Sequence, residues 1–156
     1  MLALGACGGG GDGGGRVVGD ESSGRPASGL GALAALAGLY DLTFSLDGER
    51  DVGYLEIRPD AVLVRHDYQQ DDYGTGANCW ISSAPVTPIA LGDDRYAVTF
   101  DGETSELTLR RGDSGGLYIA EQRFETINGF AQPITVADEY PPVTGVAARD
   151  LVRCTA

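Results

Sequence analysis

The chain has 156 residues, 24 of them glycine, and a formal net charge of −12 from 11 arginines, no lysine and 23 acidic residues. Such a charge excludes nucleic acid as a partner, because the phosphates would be repelled at long range, and a single histidine without any lysine removes much of the usual catalytic and metal-binding repertoire. Thirteen of the glycines fall in the first 38 residues, so the chain divides into a leader and one compact domain, long enough to bury a core without metals or many disulfides.

The leader begins with Met1-Leu2-Ala3 and then Leu4-Gly5-Ala6-Cys7, followed by Gly8 to Gly11. Leu4-Gly5-Ala6-Cys7 resembles a bacterial lipobox, in which a small-residue pair precedes the cysteine that is acylated and becomes the new N-terminus. The resemblance implies lipidation at Cys7 and attachment to a membrane through a lipid anchor. With Gly8 rather than Asp after the cysteine, it also implies an outer-membrane lipoprotein of the cell envelope, facing the periplasm or the exterior. Six residues precede Cys7, whereas a secretory signal needs a basic stretch and about 7 to 15 apolar residues, so residues 1–7 read as the remnant of a longer signal. A free surface thiol is the alternative. No run of about 20 apolar residues is present to span a bilayer. Residues 8–29 hold little but Gly, Ser, Asp, Arg, Val and Pro, cannot offset their backbone entropy by burial, and read as a flexible tether.

The domain proper is expected over residues 30–156. Leu30, Leu33 and Leu36 with alanines between them have helical spacing, and a short helix that lids the domain is expected there. From Tyr40 the period changes to two: Tyr40, Leu42, Phe44 and Leu46 alternate with polar residues up to an Asp47-Gly48 turn. Further strands are expected at Val52 to Arg58, Val62 to Tyr68, Asn78 to Ile81, Ile89 to Leu91, Tyr96 to Phe100, Glu106 to Arg110, Leu117 to Phe124 and Leu151 to Cys154. Pro59-Asp60, Gly92-Asp93-Asp94 and Asp101-Gly102 supply turns between them. Parallel crossovers would need a dozen or more residues each, so the sheet must be antiparallel. The expected fold is therefore all-β: an antiparallel meander of about eight strands closing into a small barrel, which removes exposed edges.

Leu36-Ala37-Gly38-Leu39-Tyr40, entering the first strand, is similar to the Gly-x-Trp entry of the lipocalin-like barrels, with Tyr where Trp is usual. The eight-stranded bacterial metalloprotease inhibitors with one disulfide are a second resemblance, at the level of topology. Cys79 and Cys154, 75 positions apart in a chain expected outside the cytoplasm and without partners at metal-ligand spacing, read as a disulfide. Two free buried thiols are the alternative.

Candidate sites are few. Gly112-Asp113-Ser114-Gly115-Gly116 looks like the nucleophile segment of chymotrypsin-type serine proteases. It is better read as a hairpin loop, because that fold needs two barrels and about twice this length, so no catalytic residue is assigned. The acidic loop from Asp67 to Gly76 lacks EF-hand spacing, and no metal or cofactor is expected. His66, if it shares a face with Val62, Val64 and Tyr68, lies among apolar residues. Trp80 packs beside Cys79 or lines a pocket, and Tyr54, Tyr96 and Tyr118 carry the same two readings. These five residues, Tyr54, His66, Trp80, Tyr96 and Tyr118, are the candidate ligand-binding set. The expected function is a non-catalytic, membrane-anchored binding or interaction module for an unknown small molecule or protein. A barrel-type protease inhibitor is the alternative. Whether the barrel interior is packed or hollow decides where function sits.

Overall fold

The computed structural model describes residues 29–46, 49–70 and 78–154. The expected signal remnant with Cys7, nearly all of the tether, the Asp47-Gly48 turn and most of the acidic loop lie outside them. Helix α1, Leu30–Ala34, follows Gly29 as the leucine spacing predicts, with Leu33 and Leu36 buried. Two tyrosines tie this segment down: the Tyr96 hydroxyl donates to the Gly29 carbonyl at 2.9 Å and the Tyr40 hydroxyl to the Leu36 carbonyl at 2.6 Å.

Eleven strands follow among the described residues: β1 Gly38–Asp41, β2 Phe44–Leu46, β3 Glu49–Asp51, β4 Gly53–Ile57, β5 Leu63–Gln69, β6 Cys79–Ser82, β7 Ile89–Gly92, β8 Arg95–Phe100, β9 Glu103–Arg111, β10 Leu117–Ile127 and β11 Phe130–Tyr140. They form a four-stranded sheet ordered β1-β4-β5-β6, a five-stranded sheet ordered β11-β10-β9-β8-β7, and the separate β2–β3 pair. Every strand pairing is antiparallel. Two bridges join the larger sheets. Beyond the end of β11, Pro142 pairs with Tyr40 of β1, and before β7, Val86 pairs with Leu63 of β5.

Two expected strands are broken where the sequence shows unbroken alternation. The run from Tyr40 to Leu46 splits into β1 and β2 because the Asp41 carboxylate accepts a hydrogen bond from the Thr43 amide at 2.9 Å, a side-chain turn that competes with the ladder. The expected terminal strand at 151–154 is instead a 3-10 turn at Ala148–Asp150 followed by one parallel bridge, Trp80 to Arg153. That bridge lays the C-terminus along the free edge of β6, where the Cys79–Cys154 disulfide fixes it.

The largest difference is the β10–β11 hairpin, eleven residues on each side, paired throughout from Leu117↔Tyr140 to Ile127↔Phe130. Its turn is Asn128-Gly129 with φ of 53° and 83°, and the Asp101-Gly102 turn has 52° and 85°. Positive φ at both central residues gives the twist that matches paired strands.

A single apolar cluster holds α1 and both sheets together, built on Leu33, Tyr40, Leu55, Ile57, Leu63, Tyr96, Val98, Leu109 and Leu117. It defines the inner faces of the two sheets. Gly112-Asp113-Ser114-Gly115-Gly116 forms the loop between β9 and β10. The Glu139 carboxylate accepts from the backbone amides of Ser114 at 3.0 Å and Gly116 at 2.9 Å, so the loop is folded around a buttress from β11. A Cβ on Gly116 would lie 2.5 Å from the Tyr140 carbonyl oxygen, and backbone cannot swing aside. Gly116→Ala is therefore expected to lower the unfolding free energy by about 1–3 kcal/mol, read from the denaturant midpoint of the purified protein.

Candidate functional site

Along each inner face the residues change from apolar to charged in the same direction. On β5 Leu63 is followed on that face by Arg65 and Asp67, and on β10 Leu117 and Ile119 by Glu121 and Arg123. β9 accompanies β10 only as far as Leu107↔Glu121, after which β10 continues paired with β11 alone. The sheets thus pack tightly at the α1 end and open at the other.

Two cavities that share Leu42, Arg65, Arg123, Val136 and Tyr140 fill this opening. The inner one, about 390 Å³, has Leu55, Val98, Phe100, Leu107 and Ile119 in its wall together with Asp101, Glu103, Ser105, Glu121 and Asp138. The outer one, about 880 Å³, reaches Phe44 and Asp51 of the β2–β3 pair and Tyr54. Together they make one cleft with an apolar floor and a charged rim, and each cavity by itself is in the size range of small-molecule sites.

Its two arginines are already engaged. Arg65 holds Asp67 at 3.0 Å and Asp101 at 2.9 Å, and its guanidinium lies 5.8 Å from the centre of the Phe100 ring. Arg123 holds Glu121 at 2.6 Å. Burial pushes the Glu121 carboxyl up, but hydrogen bonds from Ser105 and Arg123 outweigh it and hold the group below its ordinary value, so it stays ionised. Burial, helped by Asp138, raises the Tyr140 hydroxyl and keeps it neutral.

A second polar cluster lies on the opposite face of the first sheet. Tyr54, His66 and Ser82 are aligned across β4, β5 and β6. His66 is fully buried, yet not among apolar partners. Its Nδ1 is 2.7 Å from the Ser82 hydroxyl and 3.0 Å from Nη1 of Arg153, and its Nε2 is 3.4 Å from the Glu56 carboxylate, too long for a good hydrogen bond. A guanidinium can only donate, so Nδ1 is the acceptor and the proton sits on Nε2, facing Glu56. Glu56, His66 and Ser82 thus line up as acid, imidazole and hydroxyl, with the Ser82 hydroxyl and Arg153 both donating to the single Nδ1 lone pair. This arrangement is a buried seam between the sheet and the C-terminal segment.

Of the candidate ligand-binding residues, Tyr54 borders the outer cavity while stacking on Trp80 at 4.5 Å. Trp80 also meets Tyr68 at 5.2 Å and stands beside the disulfide. Tyr96 belongs to the core, and Tyr118 lies under the Arg110 guanidinium at 4.0 Å. The charged wall residues of the cleft, Arg65, Glu121 and Arg123, were not anticipated. Their signal was charge at inner-face positions of otherwise apolar strands. Among the described residues no helix is long and apolar enough to cross a membrane, and no three metal-ligating side chains gather to hold an ion. No family model matches the chain, and no curated protein matches it at a significant level.

The His66 seam has a pH signature. Burial, then Arg153 and more weakly Arg58, lower the imidazole pKa below 6.5, and Glu56 only partly opposes them. The unfolded chain therefore takes up a proton first, so this stability is complete above pH 6.5 and is lost as pH falls through the lower folded-state pKa. The unfolding midpoint should fall between about pH 7 and about pH 5, and by less in His66→Asn, as followed by denaturant titration at each pH.

Proposed function

We propose that this chain is a non-catalytic binding module, held at a membrane of the cell envelope through Cys7, whose ligand seat is the cleft between the two sheets. In this reading the sheets are the walls of one small lipocalin-like barrel. Two seams support the closure: the Asp41 amide donates to the Pro141 carbonyl at 2.9 Å and the Val143 amide to the Leu39 carbonyl at 2.8 Å, while Leu63 and Val86 exchange bonds of 2.8 and 2.9 Å. The lipobox-like Leu4-Gly5-Ala6-Cys7 supports the anchor.

The observation that carries the binding reading is the unequal filling of the interior, apolar and packed beside α1 but open above Leu55, Val98 and Ile119. A domain that needed only stability would gain by filling that space, since buried apolar area is the main favourable contribution to folding. A neutral, apolar fluorophore such as a phenylnaphthylamine should bind the purified full chain with a blue shift and increased emission. Ile119→Trp, which fills the inner cavity, should weaken that binding by about tenfold, on the order of 1.4 kcal/mol. Absence of any binding to the wild-type chain would refute this reading.

The anchor is tested separately. When the chain is expressed behind a complete bacterial signal, it should incorporate labelled fatty acid and partition into detergent, and Cys7→Ala should abolish both. An unlabelled, water-soluble wild-type product would overturn it.

A further inference from the structure

We propose that the cleft selects a cationic amphiphile, an ammonium or guanidinium group carrying an apolar body. This rests on the cleft being the ligand seat. The apolar floor, with Leu55, Val98, Phe100 and Ile119 among its residues, fits an alkyl or ring body. What sits above the floor decides the charge.

Six carboxylates line the two cavities, Asp51, Asp67, Asp101, Glu103, Glu121 and Asp138, against two guanidiniums. Three of the six are taken by arginine: Asp67 and Asp101 by Arg65, and Glu121 by Arg123. Asp51, Glu103 and Asp138 form no ion pair among the described residues. An anionic head entering here would have to displace carboxylates from arginines already bonded to them, and would still face the surplus. A neutral head gains only what burial of its apolar part supplies. A cationic head meets three unneutralised carboxylates without breaking any existing pair.

An independent feature at the same mouth favours the same charge. Phe44 borders the outer cavity with 56% of its surface exposed, next to Asp51, and Tyr140 lines the same space. Exposed aromatic faces are costly in water and attract cations through their ring quadrupoles. The formal charge of −12 adds a long-range field that raises the local concentration of cations at the opening.

The test compares three probes of one chain length, dodecyltrimethylammonium, dodecyl sulfate and a dodecyl glycoside. Each is held below its micelle concentration and used to displace the neutral fluorophore from the full chain. The expected order is cation before glycoside before sulfate, with the cation displacing at about tenfold lower concentration than the sulfate. That ratio should shrink as ionic strength rises, because the rim charges are exposed to solvent. In Glu103→Gln/Asp138→Asn the cation-to-sulfate ratio should fall toward one. Equal or better displacement by sulfate, or a ratio indifferent to both salt and the double substitution, would overturn the charge selectivity while leaving the binding cleft intact. Failure of the fluorophore and of every amphiphile to bind would remove the cleft as a ligand seat altogether.

Discussion

Charge placed on the inner faces of the sheets sets the depth of the core. A carboxylate or guanidinium cannot be left in an apolar interior without a partner and some access to water, so a strand that carries one inward must open there. β5 passes from Leu63 to Arg65 and Asp67, β9 from Leu109 and Leu107 to Ser105 and Glu103, and β10 from Ile119 to Glu121 and Arg123. On the apolar side of that boundary the strands converge on the cluster beneath α1. On the charged side β9 and β10 part company after Leu107 and Glu121, and the cleft lies at that level between the two sheets. The boundary also explains why the β10–β11 ribbon projects with Phe124 and Phe130 exposed: beyond it β10 has only β11 to pair with.

The first sheet uses its two faces for different ends. Arg65 and His66 are adjacent on β5, one turned toward the cleft and the other buried under the C-terminal segment. The inner face stays wet and charged at its open end. The outer face is sealed by the disulfide, by the Trp80 to Arg153 bridge, and by Arg153 donating to His66. Closing a loop across 75 positions restricts the unfolded chain by about 4.5 kcal/mol on the chain-entropy account, an upper figure. This clamp lies on the far side of the sheet from the ligand space.

The fold was legible in the sequence where alternation had one apolar face and a turn with suitable residues at its end. β4, β5, β8, β9 and the start of β10 follow from that signal, the Leu30, Leu33, Leu36 helix from its spacing of three, and the Cys79 to Cys154 pairing from two cysteines without partners at metal-ligand spacing in a chain expected outside the cytoplasm. β11 does not. Its Gln132-Pro133-Ile134-Thr135 stretch is exposed on most positions, so it has no apolar face to reveal it, and a proline argues against a strand unless that strand is an edge. The cleft was hidden for a related reason. Both faces of β5 are apolar at its start, where Leu63 and Val64 are each buried, so alternation alone could not say whether Arg65 or His66 points inward. Aromatic residues were the natural guess for a pocket, yet Tyr96 is in the core, and Trp80 lies beside the disulfide and against Tyr68.

One side chain crosses the opening from sheet to sheet. Arg65 rises from the first sheet and meets Asp101 in the β8–β9 turn and the Phe100 ring on β8, so it spans from one sheet to the other at the level where apolar packing has ended. Pairs this exposed contribute little to stability, typically about 0–1 kcal/mol, and the core beneath does not need them. A guanidinium bonded through Nε to Asp67 on its own strand presents Nη2 to Asp101 in a planar fork. The sheets are held together by the backbone bridges Tyr40–Pro142 and Leu63–Val86 and by the shared apolar cluster, while the charges on their inner faces keep the open end from closing, which is how a small domain can hold an open interior without filling it.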